Sequence, residues 1–191
     1  MLKEDRRIRK TKKALREGLA ELLMEKNIQS ITVRELTDRA DVHRSTFYAN
    51  FKDVYDLHKH VEDVVIQEIK DIISIEYHLD TKAFFSALFL YINDNKKISR
   101  LFFGENASGN FFNQISSLFV DSCMDCWRKE FNLKVLPSEL RIYAQFILSG
   151  SLGVVREWVE GGFEMPMEAL MVIFIDIDKG FRQRLKSKFC L

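Results

Sequence analysis

The sequence has 191 residues, of which 47% are hydrophobic and 30% are charged, so it can bury a sizeable core and is not an intrinsically disordered chain. With only two prolines and eight glycines, the composition favours a fold built entirely from helices. The net charge of +1 excludes a uniformly basic surface, but residues 1–16 hold eight basic side chains against two acidic ones, so this end is expected to meet an anionic partner.

The spacing of apolar residues predicts an all-α protein of about nine helices. Thr32 and Glu35 have the spacing of a capping box at the start of the second helix, and Asp53 is a suitable N-cap for the fourth. The expected helices are 8–23, 33–40, 44–51, 54–75, 81–95, 98–103, 111–131, 138–160 and 167–186.

A change of composition after residues 77–80, where charges thin out and aromatics cluster, predicts two domains. We expect an N-terminal three-helix domain at 1–55, linked through helix 54–75 to a helical C-terminal domain at 76–191.

The second and third helices flank the three-residue turn 41–43, a geometry that can place the later helix in the DNA major groove. Outward side chains on that helix are polar. The Arg44 guanidinium can donate hydrogen bonds to guanine O6 and N7, and Lys52 follows the helix at a position suited to a phosphate contact. The alternative is a solvated polar face on a small three-helix unit.

Residues 7–57 resemble the DNA-binding domain of TetR-family transcription regulators, through the stretches 31–36 (ITVREL), 40–42 (ADV) and 45–53 (STFYANFKD). This resemblance implies base contacts from His43, Arg44, Ser45 and Ala49. It also implies phosphate contacts from Thr32, Thr46, Tyr48, Asn50 and Lys52, while Phe47 and Phe51 are expected in the core. The family usually has glycine at the position of Asp41 and a small hydroxylated residue at that of His43, so an altered turn is expected.

Aromatic side chains accumulate between residues 81 and 131. They indicate either an ordinary helical core or the lining of a pocket, and the family resemblance favours a pocket for a flat or apolar small-molecule effector. The pocket residues that we expect are Phe85, Phe89, Phe102, Phe103, Phe112, Phe119, Trp127 and Phe146.

The stretches 146–155 (FILSGSLGVV) and 158–162 (WVEGG), followed by Pro166, resemble the C-terminal domain of the TetR subfamily that includes dihydroxyacetone kinase operon regulators. The family forms a four-helix dimer interface from the last two helices of each protomer, and small residues would allow close helix approach. Burial within one chain is the alternative. The expected interface residues are Ser149, Gly150, Gly153, Leu170, Ile173, Phe174 and Ile177.

No catalytic motif, phosphate-binding loop or cofactor motif is recognisable, so we expect neither an enzyme nor a cofactor. Cys123 and Cys126 have the spacing of half a zinc site, but no second Cys or His pair stands near them, so no metal is expected. With no secretory leader and no apolar run near the roughly 20 residues of a membrane span, we expect a cytoplasmic protein without membrane association.

The sequence therefore predicts a homodimeric regulator, a repressor, that binds a palindromic operator in double-stranded DNA under the control of an effector. Two alternatives stay open: a ligand-independent transcriptional activator and a nucleoid-associated DNA-binding protein.

Overall fold

The computed structural model describes residues 6–76, 81–103 and 109–189, and within these ranges every regular element is helical. The all-α prediction is confirmed. The helices are α1 (Arg6–Glu25), α2 (Val33–Arg39), α3 (Arg44–Tyr48), α4 (Val54–Glu76), α5 (Thr81–Asp94), α6 (Lys96–Phe103), α7 (Gly109–Glu130), α8 (Glu139–Glu160) and α9 (Met167–Phe189), with a single 3-10 turn at Ile28–Ser30.

Helices α1, α2 and α3 form a small unit around fully buried apolar side chains, among them Leu15, Leu36 and Phe47. At Gly18 of α1 an added Cβ would lie 3.3 Å from the Ala40 Cβ, so this glycine allows α1 to approach the end of α2 closely. The buried apolar side chains of the three helices therefore pack together, and most of their polar side chains remain at least partly exposed.

Helix α3 ends at Tyr48, three residues earlier than the sequence pattern predicted. The Asp53 carboxylate accepts the Asp56 N–H at 2.8 Å and caps α4, as predicted. Because the chain must turn between Tyr48 and this cap, residues 49–52 leave the helix, although Phe51 still reaches the core with 6% exposure.

Two helices join the N-terminal unit to the rest of the chain. Helix α4 packs against α1 and also against α5 and α7, while α6 packs against α1 and α8. The pairs α5–α9 and α7–α8 complete the C-terminal bundle around buried aromatic rings such as Phe84, Phe111 and Trp127. In the described ranges we find no helix with the length and apolarity needed to cross a membrane.

Candidate nucleic-acid interface and effector site

The start of α2 is fixed by a capping box between Thr32 and Glu35. The Glu35 N–H donates to the Thr32 hydroxyl oxygen at 3.2 Å, and the Thr32 N–H donates to the Glu35 carboxylate at 3.1 Å. A hydrogen bond from the Lys26 ammonium, reinforced by the two Thr32 donors, lowers the pKa of Glu35 to about 2. The carboxylate is thus ionised at neutral pH and holds the helix start in place.

The turn between α2 and α3 contains a strained residue, Asp41, whose φ is +52°. This left-handed conformation is the one that glycine adopts most easily, and aspartate is among the residues that tolerate it. The next N–H, of Val42, donates to the Thr37 carbonyl at 3.0 Å and closes the turn. Asp41 therefore adopts the backbone conformation that glycine adopts most easily.

The four residues expected to read bases, His43, Arg44, Ser45 and Ala49, are all exposed on α3 or at its ends. His43 stands at the N-cap position, but its side chain makes no capping hydrogen bond. Among the described residues the Arg44 guanidinium has neither a hydrogen-bond nor an ion-pair partner. Within the ranges that the structure describes, this face consequently offers donors and acceptors without partners.

The five residues expected to bind phosphates differ in their exposure and in their hydrogen bonding. Thr32, Tyr48 and Lys52 are exposed, with the Tyr48 ring packed edge-on against Phe47 at 5.4 Å between ring centroids. Thr46 and Asn50 are half-buried, and the Asn50 amide donates to the Thr46 carbonyl at 2.8 Å. Asn50 is therefore engaged in closing α3, and the Thr32 hydroxyl is engaged with Glu35 in the capping box, so Tyr48 and Lys52 are the more available of the five.

The orientation of α2 on α1 depends on Arg39, which donates to both carboxylate oxygens of Glu25 at 2.8 and 3.2 Å and to Glu21 at 3.3 Å. These charge-assisted bonds hold the end of α2, just before the turn, against α1. The first turns of α1 expose the basic side chains Arg6, Arg7, Arg9, Lys10 and Lys13.

A small apolar cavity of about 50 Å³ lies in the C-terminal bundle between α4, α5, α6, α7, α8 and α9. Of the expected pocket residues, Phe85, Phe103 and Phe119 line it, together with Ile69 and Ile73, which sequence reasoning missed. Its other lining residues are Phe84, Leu88, Ile92, Ile115, Leu148, Ser151, Leu152, Val155 and Phe174. Among the described residues that line the cavity, none is charged, which suits an uncharged apolar molecule.

The other expected pocket residues lie elsewhere. Phe89, Phe102 and Trp127 are buried in the core away from the cavity lining. Phe112 is half-buried beneath the Arg156 guanidinium, and Phe146 is 74% exposed on α8.

Phe146 instead borders an apolar surface groove of about 250 Å³ between α8 and α9. Gly150, Ile173, Phe174 and Ile177 of the expected dimer interface also line it, and Ile177 is 59% exposed. The expected interface residues Ser149 and Gly153 are exposed on α8, whereas Leu170 is buried. The exposed apolar surface of α8 and α9 further includes Ile142, Val154 and Val172, which the sequence interpretation did not name.

Cys123 is buried, and Cys126 is half-buried with its Sγ 3.5 Å from the Arg182 guanidinium. Across residues 6–76, 81–103 and 109–189, no three His, Cys, Asp or Glu side chains are grouped so as to hold a metal ion.

Comparison with known proteins identifies regulators. Residues 80–179 match a TetR C-terminal family model described as "Transcriptional regulator C-terminal region". No curated protein sequence matches significantly.

Among solved structures, the chain is similar to the dihydroxyacetone kinase operon activator DhaS, with a TM-score of 0.66 and 16% identity over 95% of this chain and 98% of that one. A putative TetR-family regulator from Syntrophomonas wolfei has a TM-score of 0.69 and 16% identity over 91% and 95%. The regulator FadR from Bacillus subtilis, in complex with stearoyl-CoA, has a TM-score of 0.62 and 16% identity over 86% and 95%. At these identities the likeness concerns the fold.

Proposed function

Because this chain belongs to the TetR family of transcription regulators, whose C-terminal model spans just over half of its length, we propose that it is a cytoplasmic operator-binding repressor. The observation that carries the proposal is the exposed polar face of α3. His43, Arg44 and Ser45 protrude from a helix whose opposite face is fixed by the buried Phe47. A rigidly packed short helix with unused hydrogen-bonding groups is suited to reading base edges.

The second part of the proposal is a homodimer formed through α8 and α9. Ile142, Phe146, Val172 and Ile177 each expose more than half of their surface, and Phe146 and Ile177 line the same groove. Large apolar side chains exposed in this way indicate an interaction surface. Association of two copies about a twofold axis would cover this surface and present two recognition helices to a palindromic operator. Bound there, the dimer would obstruct transcription.

The third part is an uncharged apolar effector in the small apolar cavity of the C-terminal bundle. Support comes from the lining, in which no described residue has an ionisable side chain. The structurally similar FadR of Bacillus subtilis was solved in complex with stearoyl-CoA, whose acyl chain is apolar although its CoA group is charged, so only the acyl part of that ligand resembles the proposed effector. The cavity of about 50 Å³ is smaller than the roughly 150 Å³ that holds benzene in an engineered protein, so an effector must displace side chains as it binds. That displacement would couple binding to the arrangement of the helices.

The DNA-binding proposal is tested with a palindromic duplex recovered by in vitro selection with the wild-type protein. Arg44→Ala should weaken binding about 5- to 150-fold, with the loss confined to sequences that keep the base pair it reads. Lys52→Ala should weaken binding to every sequence and lower the slope of log affinity against log salt by about one. Lys129→Ala, which removes an exposed charge on α7, is the control and should change neither quantity.

Equal weakening by Arg44→Ala on all sequences would contradict base reading, and an unchanged salt slope for Lys52→Ala would contradict the phosphate contact. Failure to recover any enriched duplex would overturn the proposed function itself. A genome-wide footprint with very many sites and no consensus would favour the nucleoid-associated alternative.

A further inference from the structure

The turn between α8 and α9 is docked onto α6 by one aromatic ring, that of Phe163. Phe163 has a φ of +65°, a conformation that bulky residues rarely adopt, and its N–H donates to the Trp158 carbonyl at 2.9 Å. Its ring lies edge-on to Trp158, with 4.9 Å between ring centroids. The packing of this half-buried ring therefore offsets the backbone strain and fixes the ring's position.

Two cations of α6 lie over that ring. The Lys96 Nζ is 4.9 Å from the centroid of Phe163, and the Arg100 guanidinium carbon is 5.7 Å from it. These side chains are four residues apart and share one face of the helix. Cation–π attraction thus joins α6 to the end of the α8–α9 hairpin.

The next side chain of α6, that of Lys97, contacts α1 instead of the α8–α9 turn. Lys97 donates to a carboxylate oxygen of Glu21 in α1, and the other oxygen of Glu21 accepts from Arg39 of α2 at 3.3 Å. Arg39 in turn holds Glu25. The hydrogen bond from Lys97 lowers the pKa of Glu21, as does that from Arg39, although burial opposes both. The Glu21 carboxylate accordingly accepts hydrogen bonds from both α6 and the last residue of α2.

We propose that Glu21 is a positioning residue that relays the placement of α6, set by Phe163 at the α8–α9 turn, to the helix-turn-helix. The chain of contacts runs from Phe163 to Lys96 and Arg100, along the short helix, and from Lys97 through Glu21 to Arg39. Helix α6 can act as a rigid link because its opposite side is anchored: Ile98 and Phe102 are buried, and the buried Ser99 hydroxyl donates to the Ile92 carbonyl at 3.0 Å.

The relay gives the α8–α9 hairpin a polar connection to the DNA-binding unit that does not pass through the apolar cavity. None of Phe163, Lys97, Glu21 and Arg39 lines that cavity. Movement of α8 and α9 against each other or against a second copy would therefore change the position of α2 without a bound ligand. This inference rests on the proposed DNA-binding function, but its first test below requires no DNA, so the two can fail separately.

The first test is amide hydrogen exchange of the intact protein, comparing Phe163→Leu with Phe163→Tyr. Leucine keeps apolar bulk but removes the ring face on which the cations lie, whereas tyrosine keeps that face. Phe163→Leu should speed exchange about twofold or more in residues 33–40 as well as in the turn itself, and Phe163→Tyr should restore the wild-type pattern. Faster exchange confined to the α8–α9 turn would overturn the relay and leave Phe163 with a local structural role.

The second test measures affinity for the selected duplex in a double-mutant cycle. Lys97→Met and Glu21→Gln should each change the Kd about two- to tenfold, and the double variant should match the single ones because both remove the same link. The salt slope should stay at the wild-type value, since neither side chain meets a phosphate. Lys70→Met, a loss of an exposed charge on α4 outside the relay, is the control. Additive effects, or a lowered salt slope for Lys97→Met, would refute the proposal.

Discussion

Replacing Asp41 by glycine should stabilise the protein, although the substitution removes a whole side chain. At a φ of +52° an L-residue carries a steric cost of about 1–2 kcal/mol that glycine does not. Glycine in turn loses more freedom on folding, by roughly 0.5–1 kcal/mol. The difference is a gain of up to about 1.5 kcal/mol, with a middle value of about 0.75 kcal/mol, which corresponds to about 1.5–3 °C in Tm for a chain of this size.

Thermal and urea unfolding of Asp41→Gly measure this gain, and two variants control it. Asp41→Asn removes the charge but keeps a residue that tolerates the left-handed region, so its stability should lie close to that of the wild type. Asp38→Gly places the same new residue in the right-handed helix α2 and should lose a few tenths of a kcal/mol. If Asp41→Gly destabilised the protein as Asp38→Gly does, the strain assigned to the turn would be wrong.

Three further outcomes can be measured. Glu35→Gln should lower the free energy of unfolding near neutral pH, because the contacts that lower the pKa of Glu35 to about 2 stabilise its ionised form. This difference should vanish as the pH falls from 4.5 to about 2. A difference that persisted at the acid end would contradict this. Ile177→Glu should weaken the dimer at least about tenfold in analytical ultracentrifugation, while Val135→Glu, at an 80% exposed site outside the groove, should not; a wild-type monomer would refute the interface. Tyr91→Phe should cost about 1 kcal/mol in urea unfolding, since the hydroxyl donates to Glu68 at 2.8 Å; no loss would show that the bond contributes nothing.

Helix positions and the family could be predicted from the sequence because both depend on local patterns. The apolar spacing located every helix found, and the family model at residues 80–179 confirms the TetR resemblance. The capping residues Thr32 and Asp53 form hydrogen bonds with residues three positions later in the chain, so their roles could be predicted without knowledge of the tertiary structure. The DNA contacts assigned to α3 remain predictions.

The spacing of aromatic residues could not predict which of them face the interior of the C-terminal bundle. Phe85 lines the cavity while Phe146 lies on the surface, although both are aromatic residues at helical spacing. The choice depends on how five C-terminal helices pack, and a single sequence does not contain that information locally. The backbone of Asp41 is a similar case, because closure by the Val42–Thr37 hydrogen bond, not residue type, decides its conformation.

The sharing of α4 between both halves of the molecule limits where the N-terminal unit can be joined to the C-terminal part of another regulator. Leu57 and Val61 of α4 are fully buried, and the His60 ring lies 5.3 Å from that of Phe51. A chimaera joined at residue 55 would therefore pack α1, α2 and α3 against a foreign α4. A junction placed after Val61 would keep these buried α4 side chains together with the N-terminal helices that they support.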